Sequence, residues 1–80
     1  MTRVTLLRID ANNIAKSQFD IIYQGDDFHQ AVKVANAEMD YWLMNGFHAV
    51  EISGWVYDVE YVVLKNNYNK YYKIIIEDKL

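Results

Sequence analysis

The chain has no cysteine and no proline, and only three glycines and two histidines in 80 residues. Without cysteine there is neither a disulfide nor a thiolate metal site. The omission suits a reducing compartment such as the cytoplasm. The lack of proline fits a fold whose connections are all short. His29 and His48 fall near opposite ends of a predicted helix and cannot make an i, i+4 metal pair. His29 beside Asp26 and Asp27 reads as part of an exposed first turn and not as a metal trio. The glycines are too scattered to build a phosphate-cradling loop. Ser17 and Ser53 lack the surround of a nucleophile elbow. No apolar run approaches the roughly 18 residues that span a bilayer. The start, "MTRVTLLRIDANN", lacks the long apolar region and cleavage site of a signal peptide. These absences leave no enzyme motif, no cofactor and no metal to expect.

What is present is apolar bulk: 52% of the residues are hydrophobic and seven are tyrosines. That is enough to fold without staples. The length predicts a single small globular domain over residues 1–80, complete, soluble and cytoplasmic, with modest stability. Net charge is −3, but its distribution says more. Residues 20–60 hold Asp20, Asp26, Asp27, Glu38, Asp40, Glu51, Asp58 and Glu60 against the single cation Lys33. Both flanks carry a small positive excess. A central acidic block disfavours a phosphate backbone as partner and favours a cationic surface, although a solvated acidic face that serves solubility is the plainer account.

Along the chain, "RVTLLRI" (3–9) alternates as a strand, with Val4 and Leu6 on one face and Thr5, Leu7 and Ile9 on the other. Residues 10–17 are rich in turn formers. "QFDIIYQ" (18–24) is a second strand, with Phe19, Ile21 and Tyr23 on one side, hairpinned to the first. A helix over 27–45 follows. Asp27 is its N-cap and Gln30 completes a capping box. Asn45-Gly46 supplies a left-handed stop, with Phe47 placed to fold back. Then come strands over 48–53, 55–65 and 70–77, the last two joined by the tight turn "NNYN". Pairing Lys65 with Lys70 puts Val59, Tyr61, Val63, Tyr72, Ile74 and Ile76 on one face. Asp58, Glu60, Val62, Leu64, Tyr71, Lys73 and Ile75 then take the other. The prediction is an α+β fold, order β-β-α-β-β-β. A single helix packs on one face of an antiparallel sheet of four to five strands.

The helix carries two apolar bands at 100° per residue. Phe28, Val32, Ala35, Met39 and Trp42, flanked by Ala31 and Leu43, form the core stripe. Val34, Ala37, Tyr41 and Met44 lie on the opposite side, edged by Lys33, Glu38 and Asp40. A helix on an open sheet shows that side to water, so a contiguous apolar stripe with a charged rim reads as a partner surface. Val34, Ala37, Glu38, Asp40, Tyr41 and Met44 are the candidate partner-binding residues. The expected partner is a larger protein with a basic surface, such as a nucleic-acid-binding protein. Self-pairing of the stripe in a homodimer is the second reading.

The third reading is single-stranded nucleic acid. Trp55, Tyr57, Tyr61, Tyr68, Tyr71 and Tyr72 gather in the C-terminal strands beside Lys65, Lys70 and Lys73. Aromatics with interleaved cations on a sheet are one way a single strand is held, yet the net charge is wrong for phosphate. The paired carboxylates Asp58 and Glu60 are explained by solvation and Lys73. In size and composition the chain resembles the stand-alone proteins of phages and mobile elements that inhibit host-defence or host-takeover targets. Those are small, motif-free α+β domains, often acidic, that occupy a surface of a larger protein. The resemblance implies a binding protein and touches no particular residue.

Overall fold

The computed structural model describes residues 1–12, 16–54 and 59–78, and only the backbone of Val59. The elements run β1 (Thr2–Asp10), β2 (Gln18–Gly25), α1 (Phe28–Leu43), β3 (His48–Ile52), β4 (Val59–Lys65) and β5 (Lys70–Asp78). The five strands form one antiparallel sheet in the order β2-β1-β5-β4-β3. The single helix lies across one face, as the α+β reading expects. Trp55, Val56, Tyr57 and Asp58, read as the start of the fourth strand, lie outside the described residues.

The core sits between α1 and the sheet. Val4 and Leu6 of β1, Val62 and Leu64 of β4, and Ile74 and Ile76 of β5 are buried there with Ala31, Ala35 and Phe47. Two alanines at i, i+4 remove side-chain bulk and let the helix backbone approach the strands. They also move the inward line of the helix to Ala31, Ala35 and Trp42, about 40° round from the centre of the expected stripe at 100° per residue. That turn leaves Leu43 exposed and draws Val34 and Glu38 to the half-buried flank.

Three local expectations are corrected. The hairpin register is one residue off the expected one: Lys65 faces Tyr71, Leu64 faces Tyr72 and Val62 faces Ile74. The turn causes it. Asn66 still pairs with Lys70 through its N–H (3.1 Å), and its side-chain oxygen accepts from the N–H groups of Tyr68 (2.9 Å) and Lys70 (3.0 Å). The loop proper is thus three residues, closed by Asn69 in the left-handed region at φ 59°. A one-residue slip exchanges the faces of a strand, so Val62 and Leu64 go in while Tyr61 and Val63 go out.

The second correction is in β2. Val4 faces Tyr23 but Thr5 faces Ile21, which leaves Ile22 as a bulge. Such an insertion flips the alternation. Tyr23 therefore joins the core side, while Phe19 and Ile21 stand on the opposite face. The third is the capping box. Asp27 accepts from Gln30 N–H at 3.1 Å, but the Asp27 N–H is taken by the Tyr23 hydroxyl (3.3 Å) instead of the Gln30 side chain. The same hydroxyl donates to the Asp27 carbonyl at 3.2 Å. Tyr23 reaches this position over Gly25, where a Cβ would meet its oxygen at 2.7 Å. At the other end Gly46 takes φ 88°, and Phe47 N–H bonds the Trp42 carbonyl (3.1 Å). Phe47 is thereby folded back on the helix, as its position after Asn45-Gly46 predicts.

Candidate functional site

The last two turns of α1 are built around Trp42. Its ring meets Phe47 edge-on at 5.4 Å and Tyr72 at 4.6 Å, and its indole N–H donates to Glu38 at 3.0 Å. Tyr41 stands edge-on to the outside of the same indole at 4.9 Å. The anchored Trp42 thus fixes the orientation of the outer surface. Tyr41 is 56% exposed, Met44 85% and Leu43 39%.

Among the candidate partner-binding residues, Asp40, Tyr41 and Met44 lie together in the open, and Ala37 is exposed one turn earlier. Val34 is half-buried. Glu38 is half-buried too, and its carboxylate is engaged by Trp42, so it belongs as much to the core as to the surface. Leu43 was placed on the core flank by its spacing, but the structure puts it beside Met44 in the open. The approach of the two alanines decided that, and no pattern of helical spacing shows how close a helix will sit.

The acidic block is not one patch in space. Asp20 is tied to Arg8 at 2.6 Å. Glu51 accepts from the Tyr61 hydroxyl at 2.7 Å, and Glu60 accepts from Ser53. Asp27 caps the helix and Asp26 faces the N-terminal amine at 3.9 Å. On α1 and its first cap, Asp26, Asp27, Glu38 and Asp40 face the single cation Lys33, so the helix side is the acidic side. The remaining cations are divided between the two faces. Arg3, Lys65 and Lys73 stand on the sheet face away from the helix, where Lys73 sits over the Tyr61 ring (4.3 Å) and Lys65 over Tyr71 (5.4 Å). Arg8, Lys16 and Lys70 line a cleft of about 250 Å³ with Asp10, Gln18, Ile9 and Tyr72.

This division bears on nucleic acid. Lys70 and Tyr72 belong to the helix side, whereas Lys65, Lys73, Tyr61 and Tyr71 belong to the other, so the cluster read from the sequence is split between two faces. One ring face each of Tyr61 and Tyr71 is also occupied by a lysine ammonium group. No group of three or more His, Cys, Asp or Glu side chains is placed to hold a metal among the described residues. No helix among them is long and apolar enough to cross a membrane. Comparison with protein-family models, with curated proteins and with solved structures finds no match.

Proposed function

We propose that this chain is a non-enzymatic protein-binding domain, an inhibitor or regulator that docks the outer band of α1 on a basic surface of a larger protein and occludes it. The observation that carries the reading is the exposure of Tyr41 and Met44 with Asp40 on the outer band of α1, on the acidic side of the molecule. A tyrosine and a methionine suit an interface centre, since both give large contact area and Met adapts its shape. Asp40 at the border steers a cationic partner toward them. The small acidic proteins of phages, which the chain resembles in size and composition, act by this kind of occlusion.

The test is a pull-down from lysate of the encoding cells, comparing wild type with Tyr41→Ala/Met44→Ala. The expected result is a basic protein captured by the wild type and lost with the double variant, its capture weakening as salt rises. Capture that survives the helix changes and is indifferent to salt would refute the reading.

A further inference from the structure

Away from α1 the sheet carries a second set of apolar side chains, interspersed with Arg3, Lys65, Lys73 and Glu77. Thr5, Leu7 and Ile9 of β1 stand there with Tyr71 and Ile75 of β5, and Tyr61 and Val63 of β4. Phe19 (67% exposed) and Ile21 (48% exposed) extend it along β2. An antiparallel sheet with one face in water normally alternates apolar and polar residues. Near-continuous apolar runs mark strands covered on both faces. "IIY", "YVVL" and "III" are such runs.

From this geometry we infer that the open face is the interface of a homodimer, in which two sheets pack face to face with both helices outward. The size of the face approaches what a dimer needs. Five strands about 4.8 Å apart and roughly 25 Å long give about 600 Å² in projection, and more in accessible surface; a stable interface needs about 800 Å² per partner. The outer band of α1 is a single helix stripe and falls well short of that.

The charge pattern fits a second copy as well. Arg3 is paired with Glu77 at 3.4 Å. Lys73 lies over Tyr61, whose hydroxyl is bound to Glu51. Positive and negative groups are nearly balanced, so two copies meet without an excess of like charge, whereas a nucleic-acid strand would need a positive surplus. A two-fold axis parallel to the central strand β5 lays β1 of one copy over β4 of the other and β2 over β3. Leu7 and Ile9 then meet Tyr61 and Val63, and the exposed Phe19–Ile21 edge lies over β3 reciprocally.

Sedimentation equilibrium of the full chain decides the matter. The wild type should sediment at twice its 9.5 kDa chain mass at about 100 µM and dissociate on dilution toward the low micromolar range. Phe19→Glu/Ile21→Glu should weaken association at least about a hundredfold with an unchanged far-ultraviolet circular dichroism spectrum. If that pair disturbs folding, Phe19→Thr/Ile21→Thr keeps strand-forming side chains and should weaken association in the same direction. Tyr41→Glu/Met44→Glu should leave the dimer intact, which separates this interface from the docking band. A wild type that stays at the chain mass at about 500 µM overturns the inference. So does a dimer abolished by the helix pair and not by the sheet pair, or a monomer whose sheet face binds a labelled single-stranded oligonucleotide through Lys65 and Lys73.

Discussion

Tyr61 shows how one residue can be settled by a neighbour that the sequence places ten positions away. Its hydroxyl donates to Glu51 at 2.7 Å. That bond first, then the charge of Glu51, a little desolvation and the charge of Glu60, raise its pKa above the ordinary 10.0. The unfolded chain loses this proton near 10.0 while the folded chain keeps it to higher pH. Whatever stability the pair contributes is therefore complete below that value and is lost as pH rises through the folded pKa. Glu51→Gln should return Tyr61 toward its ordinary value, read from the pH dependence of the Tyr61 ring carbon resonance. An identical titration in both proteins would show the hydroxyl is not held. Trp42 and Tyr41 offer a contrast in stability. Trp42→Ala should cost about 3 kcal/mol, the low end for a large aromatic because the ring is only partly buried. Tyr41→Ala removes an edge-on ring pair worth about 0.5–1 kcal/mol, and urea denaturation of the two variants distinguishes these costs.

At the scale of elements, the helix was the most legible part of the sequence, since Asp27, Asn45-Gly46 and the apolar spacing agree with one another. The strands were legible in position but not in facing. Each of β2, β3 and β4 depends on one residue that pattern reading could not assign: the bulged Ile22, a shift between Ala49 and Glu51, and Asn69 in the hairpin turn. "YVVL" and "III" are apolar at every position, so alternation held no information on which residues point inward. The placement of β1 between β2 and β5 was equally hidden, because it rests on long-range pairing and not on any local signal. Of the candidate site, exposed Tyr41 and Met44 were readable from helical phase, whereas the engagement of Glu38 by Trp42 depends on the orientation of the packed indole. The turn itself makes a testable claim. Asn69→Gly relieves a left-handed residue and should be neutral or stabilising by a few tenths of a kcal/mol, while Asn69→Val should cost about 1–2 kcal/mol. Thermal melts that rank the two the other way would contradict the three-residue loop.

For the whole molecule, the decisive fact is that among the described residues one sixteen-residue helix covers one side of a five-stranded sheet and no element covers the other. An 80-residue chain has little stability to spare, and leaving Phe19 and Ile21 exposed with Leu7, Val63 and Ile75 only half-buried forgoes a second core. Face-to-face pairing supplies that core and turns both acidic helix bands outward, so a partner carrying two basic sites would meet two docking surfaces at once. Of the charged groups on the face, Lys73 is the one set most directly against this arrangement. It stands between Leu7 and Val63 in the middle of the face, and sheet packing would strip water from its ammonium. Lys73→Met keeps the aliphatic stem and removes the charge, so it should tighten the dimer by about tenfold. Folding and association are then linked by mass action. Each tenfold increase in chain concentration stabilises a folded dimer by about 0.7 kcal/mol per chain, which for a domain of this size raises the thermal midpoint by about 3–5 °C. Melts of the wild type at concentrations a hundredfold apart should differ by roughly twice that, and those of Phe19→Glu/Ile21→Glu should coincide. A wild-type midpoint that does not move with concentration would leave the sheet face bare and the helix as the molecule's single contact surface.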